Sequence, residues 1–375
     1  MKFYNNFIRF FLYAGASSGN RGLHLVVGLI LPLFYNDDDL IKTWYLYLSL
    51  GPLFYYIFDV GFSRIAFREA FSKDLSEANL CFHFWACLAV TILVILFGVV
   101  FGGGVIIFAL IYGLLESIAN SFYNYYRGIG KEKLSFLIKY SQSISCFVFF
   151  MALFLYEQPE YIYIFSLLSY LLTFFIILFV CDFRFSINYG LNRYRFSVFL
   201  NDSVWWARST SIPLIIGVLF SDKIVIELSH TLVLLQSLFV INSALDGVFS
   251  RELYSRYRSN VSAVPILIFW AFALFIVMFC CVVIGLFVFE MDFLYVFLCS
   301  LYCYLVSISL ILSKKLFFYR ETGKVFFSSF IGVILIFIIS LYGVLYKIEV
   351  WSFLVGLIVS SSFSVFFIIF FRGRR

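Results

Sequence analysis

Charge is scarce in this sequence. Only 13% of its 375 positions are Asp, Glu, Lys or Arg, where a soluble domain carries about a quarter. Hydrophobic residues make up 63%, and the mean hydropathy is +1.01. A water-soluble fold would have to display far more Phe, Leu and Ile than water tolerates, so soluble enzymes, nucleic-acid binders and disordered chains are excluded. CxxC spacing is missing as well. Cys81, Cys87, Cys146, Cys181, Cys280, Cys281, Cys299 and Cys303 lie in or beside apolar runs, which supports neither a zinc site nor a disulfide framework. Long polar connections are also lacking, so no soluble domain hides between apolar segments.

What is present is a series of runs of the length a transmembrane helix needs, about 20 apolar residues. Twelve are read at 8–35, 43–63, 81–101, 105–126, 134–155, 161–181, 196–220, 224–249, 262–289, 293–313, 325–346 and 350–371. Ala14-Gly15-Ala16 mimics a signal-peptidase site, but Arg9 breaks the apolar stretch before it and the run continues to Tyr35. An uncleaved first span is expected.

The basic residues orient these spans. With the N-terminus in the cytoplasm, 22 of the 27 Lys and Arg fall on the cytoplasmic side, and only Lys42, Lys223 and Lys347 fall outside. Every alternate loop then obeys the positive-inside rule, giving an all-α integral membrane protein with N-in/C-in topology. The outer loops are acidic instead, with Asp37, Asp38, Asp39, Glu157 and Glu160 among them. The net charge of +6 therefore reports topology and no nucleic-acid partner.

Two strings recur. Asp59-Val60-Gly61-Phe62-Ser63-Arg64 at the end of span 2 answers Asp246-Gly247-Val248-Phe249-Ser250-Arg251 at the end of span 8. Tyr126-Arg127-Gly128-Ile129-Gly130-Lys131 after span 4 answers Tyr319-Arg320-Glu321-Thr322-Gly323-Lys324 after span 10. Their matched places predict duplication: a six-helix lobe over 1–190, another over 191–375, and a pseudo-twofold along the membrane normal. Repeat-built transporters hold substrate near the midplane between halves. Locally, the same strings serve as interfacial anchors, with Asp59 and Asp246 expected to pair with the cytoplasmic bases.

Two basic residues remain, Arg21 and Arg208, in the equivalent first spans of the two halves. At 1.5 Å per residue each lies roughly 20 Å inside the outer end of its span, near the midplane. A cation there costs at least about 2.5–3.5 kcal/mol and must face a cavity or a partner. Either the pair clamps an anion, since a guanidinium matches phosphate oxygens bidentately, or it locks onto Glu116 in span 4. Ser17 and His24 share a helical face with Arg21, and Asn201 and Trp205 share one with Arg208. His24 reads first as a packing histidine and second as a proton relay, and Trp205 as packing or a sugar-stacking face. Glu116, with Asn120 on its stripe, is a counterion for Arg21 or the site of a coupling cation. Pro32 and Pro213 place kinks toward the outer ends of the two arginine-bearing spans.

The run Leu31-Pro32-Leu33, the Asp59–Arg64 string with Arg68-Glu69, and the Gly130-Lys131 element together resemble the Wzx-type polysaccharide flippases of the multidrug/oligosaccharidyl-lipid/polysaccharide exporter superfamily. The resemblance implies a flippase that moves undecaprenyl-diphosphate-linked oligosaccharide, such as an O-antigen unit for lipopolysaccharide biosynthesis, to the outer leaflet of a bacterial inner membrane. It implies a monomer working among membrane lipids and other polysaccharide-assembly membrane proteins, with no cofactor beyond a coupling H+ or Na+. The headgroup would meet a central basic cavity, which maps onto Arg21 and Arg208. Two alternatives stand beside it. An integral-membrane polymerase or ligase of lipid-linked sugars would want a substantial outer loop, and these are short and acidic. A multidrug antiporter of the same superfamily would want buried carboxylates without opposing arginines.

Overall fold

In hydrocarbon a backbone must satisfy its own polar groups, so the long apolar runs fold as helices. The computed structural model describes residues 8–16, 23–24, 26–27, 31, 38–72, 75–101, 104–156, 161–180, 196, 198–201, 203–204, 222–287, 292–346 and 349–372. The chain divides into two compact units, Gly15–Ser203 and Val204–Arg375 with Met1–Ala14. Among the described residues, eight helices are long and apolar enough to cross a membrane. They answer the runs expected from 81 to 181 and from 262 to 371. The runs at 43–63 and 224–249 are also helical, as Asp38–Asp59 and Asp222–Arg258. Those at 8–35 and 196–220 lie largely outside the described residues. Large apolar side chains stand outward, Phe179 88% and Phe287 80% exposed. A surface of that kind suits lipid, not water. This is a multi-pass membrane protein.

In the unit Gly15–Ser203 the helix Val105–Gly128 is the hub, packed against Asp38–Asp59, Phe62–Ser72, Glu77–Phe101 and Glu132–Tyr156. Small residues let neighbouring backbones close on it. A Cβ at Gly113 would meet Tyr55 N at 2.5 Å and Phe54 C at 2.7 Å. Around the hub sit two apolar clusters, one with Trp44, Tyr47, Tyr112 and Phe150, the other with Phe62, Phe84, Phe122 and Ile138. Its polar residues Glu116, Ser117 and Ser121 are buried among them.

Span 2 departs from expectation. Its helix stops at Asp59, four residues short of the expected end, and a second helix runs over Phe62–Ser72. Between them Val60 and Gly61 take left-handed φ of 45° and 71°, a conformation glycine adopts freely and valine does not. The matching string Asp246–Arg251 stays inside one continuous helix, Asp222–Arg258. There the order is Gly247-Val248, and Gly247 lies against the Tyr13 ring, where a Cβ would come within 2.3 Å. The transposed glycine thus permits a chain break in one half and close packing in the other.

Span 6 is also interrupted. Helices Ile162–Leu168 and Leu171–Val180 meet at Ser169-Tyr170, and the Ser169 hydroxyl donates to Ser166 O at 2.6 Å. The second pair of strings shares its turn chemistry with a shift. Lys131 N–H reaches Tyr126 O at 2.8 Å around left-handed Gly130, the motif that satisfies terminal carbonyls. In the other half Glu321 N–H reaches Leu316 O at 2.8 Å around left-handed Arg320, and Gly323 already belongs to the next helix, Thr322–Leu345.

In the unit containing Val204–Arg375, Asn242 accepts from the Trp270 indole at 2.9 Å, joining Asp222–Arg258 to Val264–Phe287. Thr322–Leu345 packs along Glu349–Arg372 with Ser328 and Ser364 buried at the seam.

Candidate functional site

A carboxylate buried on the hub helix needs compensation for lost hydration. Glu116, 2% exposed, has it on both oxygens. Oε1 accepts from Asn120 Nδ2 at 2.8 Å and from Lys139 Nζ at 3.3 Å; Oε2 accepts from Gln142 Nε2 at 2.8 Å and Tyr170 Oη at 2.6 Å. Lys139 also donates to Gln142 Oε1 at 3.1 Å, which sets the orientation of that amide: its oxygen faces the ammonium and its nitrogen the carboxylate. The cluster ties together the Val105–Gly128 helix, the Glu132–Tyr156 helix and the interruption of span 6. Asn120 is one turn from Glu116, as the stripe predicts.

The sequence reading counts Lys139 only among the cytoplasmic bases; in the structure its side chain is 9% exposed and forms an ion pair with Glu116. The available signal was its place inside the span read at 134–155, three residues from Gln142. Tyr170 carried no such signal, because it reaches Glu116 only through the break at Ser169-Tyr170.

His24 occupies a second polar nest in the same unit. Its Nε2 lies 2.5 Å from Ser166 Oγ, which lies 2.6 Å from Tyr47 Oη. Cys146 Sγ is 3.7 Å from Nδ1. The ring stacks on Trp44 at 5.8 Å between centroids and meets the edges of Tyr112 and Phe150 at 5.6 and 5.2 Å. Tyr112 touches Tyr170 at 5.9 Å, so aromatic rings connect the two nests. Rings at these separations hold one another in defined orientations. With 1% exposure, His24 is a packed, hydrogen-bonded histidine here.

Asn201 is buried. Arg21, Arg208, Ser17 and Trp205 lie outside the described residues. Among the described residues no group of three His, Cys, Asp or Glu side chains is placed to hold a metal.

By sequence, no protein-family profile and no curated relative matches the chain. By structure, matches extend over nearly its whole length. A MATE protein in the straight conformation superposes with a TM-score of 0.69 at 13% identity, over 97% of this chain and 95% of that one. The fold is that of the MATE transporters. An outward-facing multidrug-resistance MATE transporter of the MOP superfamily gives 0.69 at 13% identity over 98% and 95%. A MOP-superfamily transporter from Pyrococcus furiosus, whose binding pocket of reverse polarity suggests a different function, gives 0.68 at 12% over 98% and 95%. The likeness is one of fold, since the side chains differ at almost nine positions in ten.

Proposed function

We propose that this protein is an alternating-access exporter that flips an undecaprenyl-diphosphate-linked oligosaccharide from the cytoplasmic to the outer leaflet of a bacterial inner membrane. The observation that carries the reading is the charge balance at Glu116. This buried carboxylate already has an ammonium, two amides and a phenol on its oxygens. A cationic drug would have to displace Lys139 to use it. Arg21 and Arg208, which the sequence reading puts near the midplane, would suit a diphosphate, which takes charge-assisted, bidentate hydrogen bonds. The polyprenyl tail would stay in lipid while the headgroup crosses.

The likeness to a multidrug-resistance MATE transporter favours a second reading, drug efflux, on the fold alone. Pocket polarity separates the two, and one structural neighbour is described by a binding pocket of reverse polarity that suggests a different function. The test is leaflet-resolved labelling of a lipid-linked oligosaccharide in proteoliposomes, beside efflux of a cationic dye. Flipping lost in Arg21→Ala and Arg208→Ala, with no dye efflux, supports the flippase. Dye efflux lost in Glu116→Gln, with no flipping, reverses the assignment.

A further inference from the structure

Two turns of the unit containing Val204–Arg375 meet on the side that the basic loops assign to the cytoplasm. One follows the Asp222–Arg258 helix and the other the Phe293–Phe318 helix. Tyr319 Oη donates to Tyr257 O at 3.2 Å, and the Phe318 ring lies 5.3 Å from that of Tyr254 and 5.8 Å from that of Tyr257. The residues next in sequence to the bonded tyrosines are Arg258 and Arg320, and both are exposed. The acids flanking them are engaged by other bases. Glu252 accepts from Arg256, which also closes its turn on Ser262 O at 2.9 Å, and Glu321 accepts from Lys324 at 2.8 Å.

Arg320 is also strained. Its φ is 60°, a conformation that disfavours any residue with a Cβ and that glycine adopts freely. The matching turn of the other half puts Gly130 at its left-handed position. Its own arginine, Arg127, is buried, with the guanidinium 4.4 Å over the Phe67 ring. An exposed arginine is thus held where a glycine would fold more easily, and such strain is kept at sites with a task.

We infer that Arg258 and Arg320 clasp the phosphate of an anionic phospholipid of the cytoplasmic leaflet. Guanidinium groups present paired N–H donors that match phosphate oxygens, and basic sites at the cytoplasmic ends of membrane helices take such headgroups. What lies beneath the turns selects a lipid over a free phosphate. The helices leaving them turn apolar side chains outward: Val264, Ile268 and Phe272 on Val264–Phe287, and Phe327, Phe330 and Ile334 on Thr322–Leu345. Each set recurs every three or four residues, a continuous stripe along which an acyl chain lies while its headgroup stays at the rim. The Tyr254, Tyr257, Phe318 and Tyr319 rings sit at headgroup level, as aromatic residues of membrane interfaces do. A lipid held there bridges the two turns, so the stability of this unit follows the anionic content of the leaflet.

The site is independent of the exported cargo and is tested without it. Purified full-length protein in neutral detergent is titrated with phosphatidylglycerol or phosphatidylcholine, and bound lipid is counted by native mass spectrometry. Phosphatidylglycerol should bind more tightly, and Arg258→Ser and Arg320→Gly should each weaken it about fivefold, the effect of one basic residue at an anionic surface. Arg320→Gly also relieves the left-handed turn. Its melting temperature in phosphatidylcholine should therefore hold or rise while its preference for phosphatidylglycerol falls, a separation that a merely structural arginine would not give. Lys131→Ser combined with Lys133→Ser, which removes two exposed bases of the other unit, should leave the preference intact. Inorganic phosphate should not compete. Equal binding of the two lipids, an equal loss in the Lys131 and Lys133 variant, or full competition by inorganic phosphate overturns the inference.

Discussion

Lys139 reaches Glu116 across 3.3 Å from the neighbouring helix, and both side chains are almost wholly enclosed. Removing one partner from such a pair leaves an uncompensated buried charge, which costs about 3–5 kcal/mol, while replacing both is far milder. Lys139→Met and Glu116→Gln should therefore each lower the melting temperature in detergent by more than the double variant does. A double variant that melts lower than either single one would show that the residues do not act as a pair.

Gly247 belongs to a helix yet tolerates no side chain. A Cβ there would meet Tyr13 Cδ1 and Cγ at 2.3 Å, and Tyr13 is itself buried. Gly247→Ala should cost about 1–3 kcal/mol, the usual penalty for overpacking. Adding Tyr13→Leu should recover part of it in thermal unfolding. Full stability of the single variant would refute this packing.

At the interruption of span 2, Val60 holds φ 45° and Gly61 φ 71°. A side chain in this region costs about 1–2 kcal/mol, and glycine's added freedom when unfolded returns part of the gain. Val60→Gly should stabilise by up to about 1 kcal/mol, and Gly61→Val should destabilise by about 1–2 kcal/mol. Equal melting temperatures for the two variants would argue against a left-handed break.

For the diphosphate cargo proposed above, the membrane potential would supply about 2.3 kcal/mol per charge per 100 mV. With the cytoplasm negative, outward movement of a diphosphate is favoured. Flipping in vesicles should accelerate as an inside-negative potential is imposed on inward-cytoplasmic-face protein, and slow when it is reversed. Arg21→Ala or Arg208→Ala should reduce it about tenfold to a hundredfold, the equivalent of one lost charge-assisted hydrogen-bonding group. Lys at either position should retain more activity than Ala, because the charge survives while the fork is lost. Indifference to both the potential and these substitutions is incompatible with the mechanism.

Hydropathy alone located the eight membrane-length helices, because burial in lipid is a compositional requirement that each stretch of chain meets locally. The repeat strings were legible for the same reason, since a short string is compared without knowing where it folds. Asn120 beside Glu116 followed from helical spacing. Lys139 and Tyr170 did not follow. They converge on Glu116 from 23 and 54 residues away, and no local pattern encodes a contact across that separation. A lysine inside the end of a span reads as a topology signal until the fold shows what it faces.

The two aspartates give the clearest division. Sequence by itself placed Asp59 and Asp246 at the head of matching strings, each followed four residues later by a serine. It also determined the exchange of Val60-Gly61 for Gly247-Val248. Only the tertiary structure decided that the first order interrupts its helix and the second continues it against Tyr13. It likewise decided that Asp246 meets a lysine and Asp59 meets serines. The reason is physical: a residue's own backbone preference is worth about 1 kcal/mol, which packing against distant parts of the chain readily outweighs.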